Sequence, residues 1–483
     1  MKNVFISREH FKNIIKRDEI LFAVFSGLVL YLSKMSVLNV PYYWDELLVY
    51  VNPIRIVYER GLFSMIWDGS LFDPGNFFYH PFGIPLLFLP LLKLFGHSVW
   101  LLRFIALACV WGTLFYTYKI GKILHGKTLG FCASLSLFAL PLLFTQSTMI
   151  LGDTFFMFFS TLFFFQLIQK KYFWTLFCVG VSLGFIRETA LAYTPLVFLF
   201  FFLQRDFKKR NIFLILSPSV GVVLFFLMSG FGHQAFTEGH IGFHDFFAGL
   251  MKSFRLAFLD DYKGDLFYPS FFVMLFLFLF PKLKSEKKIS YDHLLLILFL
   301  MFIFVLFFAL DKGVLSRYFH PILPYFTLLA FYPLVRLSRL FALVFLVAFV
   351  VRIPQYAFSS NTFHVGTGHE TRMEYIEVIK VHSEAAQYLE NKYLKKRLWT
   401  SWPLDVMLSD SFFGYVKHSL HVVSAEEAQK GDYDIYVWAS NMRNDFSSLD
   451  ERDRWLKKEN LKLVQNFFHK NKWVEIYERE SKI

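Results

Sequence analysis

Long apolar runs separated by short basic loops restrict the fold of this chain more than any other feature. The runs occupy residues 20–38, 99–118, 128–145, 152–168, 172–187, 189–204, 211–230, 266–281, 293–310, 319–335 and 339–353. Helices of this length approach or reach the thickness of a bilayer's hydrocarbon core, so about eleven transmembrane spans are expected. Composition agrees. Hydrophobic residues make up 55% of the chain, 65 residues are Phe, and only 18% are charged, against roughly 25% in soluble domains. A soluble domain has no means of hiding that much apolar surface in one core. A soluble enzyme, a disordered chain and a disulfide-rich module are therefore excluded. The three cysteines, Cys109, Cys132 and Cys178, all fall inside apolar runs and read as small buried hydrophobes.

The basic residues set the topology. The first run follows Lys2, Arg8, Lys12, Lys16 and Arg17. It is too long for a signal-peptide core and lacks a small-residue cleavage pattern, so it reads as an uncleaved span. Lys and Arg crowd into the short segments 119–127, 169–172, 204–210, 282–288 and 336–339, and are sparse for length in 41–81, 146–151, 231–265 and 311–318. The positive-inside rule then places the N-terminus and the basic segments in the cytoplasm. The net charge of +12 is thereby accounted for by topology, and no nucleic-acid partner is expected. The stretch 82–95, FGIPLLFLPLLKLF, is short and carries two prolines. It reads as a juxtamembrane helix at the surface, because counting it as a span would move the basic loops to the wrong side.

After residue 355 the chain becomes polar. Ser383–Lys396 reads as an amphipathic helix and 449–460 as another. LWTSW (398–402), LHVV (420–423), DIYVWAS (434–440), LKLVQNFF (461–468) and WVEIYER (473–479) read as strands. Strands alternating with helices predict a small α/β domain. The fold class is thus an all-α polytopic membrane domain, residues 1–355 with an outer loop at 41–98, followed by a soluble extracytoplasmic α/β domain at 356–483. An odd number of spans places that domain outside.

The same topology gathers the notable polar residues on the outer side. Ionisable groups near membrane depth are costly and are functional candidates by default. Asp45 and Glu46 stand in PYYWDELLVY just after the first span. Adjacent helical residues point apart, so each has its own role. Tyr79-His80-Pro81 opens the short helix; His80 either contacts a phosphate or is a surface residue. Arg103 lies near the outer end of its span, within reach of a lipid phosphate or an outer acid. Asp153 either caps its helix or points into an outer cavity. Arg187 and Glu188 interrupt FIRETAL, as a structural ion pair or with Arg187 holding an anionic headgroup. Arg317 and Tyr318 stand in LSRYFHPILPY ahead of His320-Pro321. A guanidinium suits bidentate phosphate recognition, although Arg and Tyr also serve as interfacial anchors. The loop 231–265 holds His233, Glu238, His240, His244 and Asp245. The His240/His244 spacing is compatible with a shared metal on a helix, but Gly239 and Gly242 weigh against a helix there. Asp260, Asp261 and Asp265 read as solvated.

Taken in order, these motifs resemble the C-type membrane glycosyltransferases that use polyprenyl-phosphate sugars, closest to the protein O-mannosyltransferase-like and aminoarabinose-transferase-like families. The resemblance rests on Asp45-Glu46, His80-Pro81, the L-x-R-F-x-A-L stretch from Leu101 to Leu107, Asp153 opening a span, the Arg317-Tyr318-x-x-Pro321 motif and the polar tail. The family often has His-Pro-Pro where Phe82 follows Pro81 here. The resemblance implies transfer of a hexose or pentose from a polyprenyl-phosphate donor to an outer lipid, glycan or protein. It implies Asp45 as general base, with Glu46 beside it as a second catalytic candidate. Arg317 and Tyr318, then Arg187 and His80, would hold the leaving phosphate, with Glu188 lining the same region. Glu46 and Asp153 would orient the acceptor or hold a divalent ion, with Asp45 and Asp153 as its candidate ligands. One displacement with one base predicts inversion at the anomeric carbon. The bilayer of the inner membrane delivers the donor laterally. The rival reading is a transporter or flippase of a lipid-linked glycan, which would carry its charged groups near the midplane in repeated, broken helices.

Overall fold

The computed structural model describes residues 17–67, 80–169, 173–206, 208–228, 248, 291–309, 316–354, 373–440 and 449–480. The expected span at 266–281 and the basic segment 282–288 lie outside the described residues. So do Tyr79 and the acidic and histidine-bearing positions of the loop 231–265.

Helices build the first part of the molecule. They are α1 (Arg17–Lys34), α2 (Asn52–Arg60), α3 (Leu62–Trp67), α4 (Gly83–Phe95), α5 (Val99–His125), α6 (Lys127–Phe138), α7 (Pro141–Gln146), α8 (Gly152–Gln169), α9 (Phe173–Ile186), α10 (Tyr193–Leu203), α11 (Lys209–Met228), α12 (Tyr291–Ala309), α13 (Leu323–Leu337) and α14 (Arg339–Val351). A π-helical turn, Glu46–Val51, leads into α2, and 3₁₀ turns at Glu188–Ala192 and Ser316–Ile322 lead into α10 and α13. Three described helices, Arg17–Val37, Val99–His125 and Lys209–Leu227, are long and apolar enough to cross a membrane. Apolar side chains also face outward on α1 (Leu21, Val24, Leu28) and on the shorter helix α14 (Leu340, Val344, Val347, Val351), all of them exposed. Faces of this kind suit lipid rather than water.

Two stretches depart from their expected form. The run 128–145 is broken between α6 and α7, because Pro141 has no amide to continue the ladder and disfavours helix in the residue before it. The segment 119–127, expected as a loop, is helical as far as His125. Helices α9 and α11 approach closely where Gly180 and Gly184 face Ser217 and Gly221, the small-xxx-small pattern of membrane helix pairs. A Cβ on Gly184 would lie 2.5 Å from the Pro218 carbonyl oxygen. Cys109 and Cys132 are buried as expected, but Cys178 is exposed, since the buried side of α9 runs through Leu176, Val179, Gly180 and Leu183.

The polar tail carries helices and strands near the expected positions, with shifted limits and two further short helices. It comprises α15 (Tyr375–Tyr393), β1 (Arg397–Trp399), α16 (Leu404–Ser409), β2 (His421–Val422), α17 (Ala425–Gln429), β3 (Ile435–Ala439), α18 (Leu449–Lys458), β4 (Leu461–His469) and β5 (Lys472–Arg479). The sheet order is β2-β1-β3-β5-β4. The β2-β1-β3 part is parallel and β5 and β4 join antiparallel. Every residue of β3 is buried, as its central place requires. Helix α15 begins earlier than Ser383 because Tyr375, Val378, Ile379 and His382 continue the buried stripe.

Candidate active site

Asp45 and Glu46 are neighbours in sequence with separate partners. Glu46 is fully buried. Its Oε1 accepts from Arg103 Nη1 at 3.1 Å and from the Ile150 amide at 2.7 Å; its Oε2 accepts from Arg103 Nη2 at 3.0 Å and from the Tyr43 amide at 3.0 Å. Arg103 also donates to the carbonyls of Val40, Pro41 and Thr148. The four hydrogen bonds that Glu46 accepts all come from the protein, and they tie it to the turn that bears Asp45. Of the two fates open to Arg103, pairing with an acid is the one observed.

Asp45 faces the opposite way. Its Oδ2 pairs with Arg317 Nη2. Arg317 Nε lies 3.8 Å from Asp153 Oδ2, and Asp153 Oδ1 pairs with Arg187. Four charged residues from four distant parts of the chain therefore form one continuous cluster. Tyr318 lies between the two cations, its ring centroid 4.8 Å from Arg187 Cζ and 5.6 Å from Arg317 Cζ. The Asp45 side chain is 28% exposed, whereas that of Asp153 is 2% exposed. Asp45 is thus the more open carboxylate, and Asp153 is buried beside both guanidinium groups.

The second pair lies beside the first. His80 Nδ1 is 2.9 Å from Glu188 Oε1. Arg187 and Glu188 accordingly do not pair with each other, because the turn between α9 and the Glu188–Ala192 segment sends them to Asp153 and His80. Tyr50 stacks on His80 with ring centroids 5.8 Å apart. Its hydroxyl comes so near Gly152 that a Cβ there would be 3.0 Å from it. Sequence reading missed Tyr50, since a regular α-helix from Asp45 turns residue 50 away, while the π-helical turn Glu46–Val51 resets the spacing. His320 was visible in the RYFHP motif without a role. In a 3₁₀ helix residues three apart eclipse, so His320 shares the face of Arg317. It is fully buried, and both its ring nitrogens, Arg187 Nε and Asp153 Oδ2 make no hydrogen bond among the described residues. Buried polar atoms of this kind mark a place built for water or a polar ligand.

Asp45 and Asp153 share Arg317, Asp153 also carries Arg187, and among the described residues no three His, Cys, Asp or Glu side chains gather at metal-binding distance.

The site lies at one end of the helices. Asp18 and Glu19 on α1 pair with Lys122 on α5, and Lys119 and Lys127 join them. Arg103 lies 19 residues before Lys122 on the same helix, about 28 Å at 1.5 Å per residue. That is close to the thickness of a hydrocarbon core.

Comparison with solved structures gives the fold. Over 95% of this chain and 97% of theirs, it superposes on ArnT from Cupriavidus metallidurans bound to undecaprenyl phosphate (TM-score 0.58, 14% identity) and on the same protein in the apo state (TM-score 0.56, 14% identity). It also superposes on arabinofuranosyltransferase AftD from Mycobacteria (TM-score 0.52, 14% identity), covering 97% of this chain and 40% of AftD. A search of curated proteins returns no match. The chain thus has the fold of the C-type membrane glycosyltransferases, as the resemblance implied. Within it, residues 79–231 match the family model described as dolichyl-phosphate-mannose-protein mannosyltransferase. That stretch carries His80, Arg103, Asp153, Arg187 and Glu188.

Proposed function

We propose that this protein is an integral-membrane glycosyltransferase that moves a sugar from a polyprenyl-phosphate donor to an extracytoplasmic acceptor. The observation that carries the reading is the convergence of Asp45, Asp153, Arg187 and Arg317 on one cluster at the end of the bundle remote from the basic belt. The fold match to a structure with bound undecaprenyl phosphate supports a polyprenyl-phosphate partner.

The reaction follows from the charges. The donor phosphate enters beside Arg317, Arg187 and Tyr318 and takes Arg317 away from Asp45. Asp45 is then a free carboxylate next to the anomeric carbon. The acceptor oxygen attacks that carbon as its proton passes to Asp45, and the carbon–oxygen bond to phosphate breaks with its electron pair on the phosphate. The two guanidinium groups stabilise the departing charge. A single displacement inverts the anomeric carbon. The distribution of basic residues among the loops supports an active site on the face away from the cytoplasm, at the inner membrane.

The test is an assay of the purified protein with polyprenyl-phosphate sugars, scored by loss of donor and by the configuration of the product. Asp45→Asn is expected to lower kcat by about 10²–10⁴, and Arg317→Ala by about 10²–10³. Transfer at wild-type rates in both variants, or retention of configuration, overturns the reading.

A further inference from the structure

Residues 401–415 of the C-terminal domain lie directly on the turn that bears Asp45. The Tyr42 amide donates to the Phe413 carbonyl at 3.4 Å. The buried Tyr415 hydroxyl donates to the Tyr42 carbonyl at 2.9 Å. Trp402 meets Trp44 edge to face, with ring centroids 6.3 Å apart. Arg55, just beyond the π-helical turn, pairs with Asp410. On the other side of the same turn Arg103 takes the carbonyls of Val40 and Pro41. The turn is therefore gripped between the membrane helices and the C-terminal domain.

The grip has a specific object. Trp44 has a φ of 53°, in the left-handed region that a bulky L-residue adopts only when its surroundings enforce it. The next residue is Asp45. If Trp44 relaxed to an ordinary backbone conformation, the peptide after it would rotate and Asp45 would turn from Arg317. Arg103 and Glu46 fix the backbone on either side of Trp44, but the Trp44 ring itself is met by Trp402.

We propose that the C-terminal domain is a working part of the active site, with Trp402 as a positioning residue that holds Trp44 left-handed and so aims Asp45, and with Tyr415 fixing the turn behind it. This rests on the reading of Asp45 as the base. It gives the domain a role in the chemical step that is independent of which acceptor is used.

The experiment uses the full-length protein and the variants Trp402→Ala, Trp402→Phe and Tyr415→Phe. It measures kcat, donor KM, the melting temperature and amide hydrogen exchange across residues 41–46. Trp402→Ala is expected to lower kcat about 10–100-fold, the scale of a misplaced reacting group, with donor KM changed less than about twofold on the same argument. Exchange at 41–46 should rise while α5 is unaffected, and Trp402→Phe should restore both. Unchanged kcat and exchange in Trp402→Ala overturn the proposal. So does exchange that rises evenly along the chain, the mark of a merely stabilising contact. If Trp402→Ala does not fold, Tyr415→Phe carries the test, with faster exchange at Tyr42 and Tyr43 expected and unchanged exchange overturning it. Should the wild type transfer no sugar, the functional reading fails, while the exchange measurements still decide whether the domain holds the turn.

Discussion

At the scale of single residues, two neighbouring carboxylates have opposite surroundings. Glu46 is enclosed by Arg103 and two amides, and Asp45 opens toward Arg317. Removing one member of a fully buried ion pair leaves an uncompensated charge and costs about 3–5 kcal/mol. Arg103→Met is therefore expected to destabilise the protein by that amount, and Glu46→Leu with Arg103→Met to recover much of it. Thermal unfolding in detergent measures both. His97 makes a second prediction. It stacks on Phe412 with centroids 3.7 Å apart, and its Nε2 lies 3.4 Å from the Tyr42 hydroxyl. Burial pulls the imidazole down to about 4, against some opposition from Asp410. Burial also pushes the Tyr42 phenol up, so a phenolic donor meets a neutral acceptor. Between about pH 6.5 and 4 the unfolded chain binds a proton there that the folded chain does not. Stability should accordingly fall as pH is lowered through that window, and the loss should be smaller in His97→Phe. Melting temperature against pH checks it; identical slopes in both proteins contradict it.

At the scale of elements, the sequence was most legible where periodicity was strong and least where local geometry was irregular. The strands at 434–440, 461–468 and 473–479 were read almost to their ends, because alternation and β-branched or aromatic content fix a strand locally. Asp45-Glu46, Asp153 and Arg317-Tyr318 were also visible, since charges beside apolar runs stand out. Tyr50 was not, because a π-helical turn is set by packing around Glu46 and has no sequence signature. Helix pairing was equally hidden until Gly184 and Gly221 were seen face to face. Gly184→Leu or Gly221→Leu should separate α9 from α11 and destabilise by about 1–3 kcal/mol or more through overpacking. Cys178→Leu, on the exposed side of α9, should change the melting temperature little. Equal effects at Gly184 and Cys178 would remove the argument for close packing.

At the scale of the whole molecule, the arrangement of charge along the bundle predicts sidedness. In a cysteine-free background, a single Cys at Lys127, in the basic belt, should react with an impermeant thiol reagent only from the cytoplasmic face. A Cys at Lys417, in the C-terminal domain, should react only from the opposite face. Labelling of both from one side contradicts the topology. The sequence by itself determined that the chain is solvated by lipid, that its polar tail forms strands and helices, and which acids and cations are too costly to be incidental. Those properties follow from hydropathy, period and charge, which act over a few neighbouring residues. Only the tertiary structure decided which acid meets which cation, that Glu46 supports and Asp45 is presented, and that the tail reaches back over the turn at residue 44. Such pairings join positions from 34 residues apart, for Asp153 and Arg187, to 272 apart, for Asp45 and Arg317, and they are fixed by how the helices pack, which no local pattern in the chain encodes.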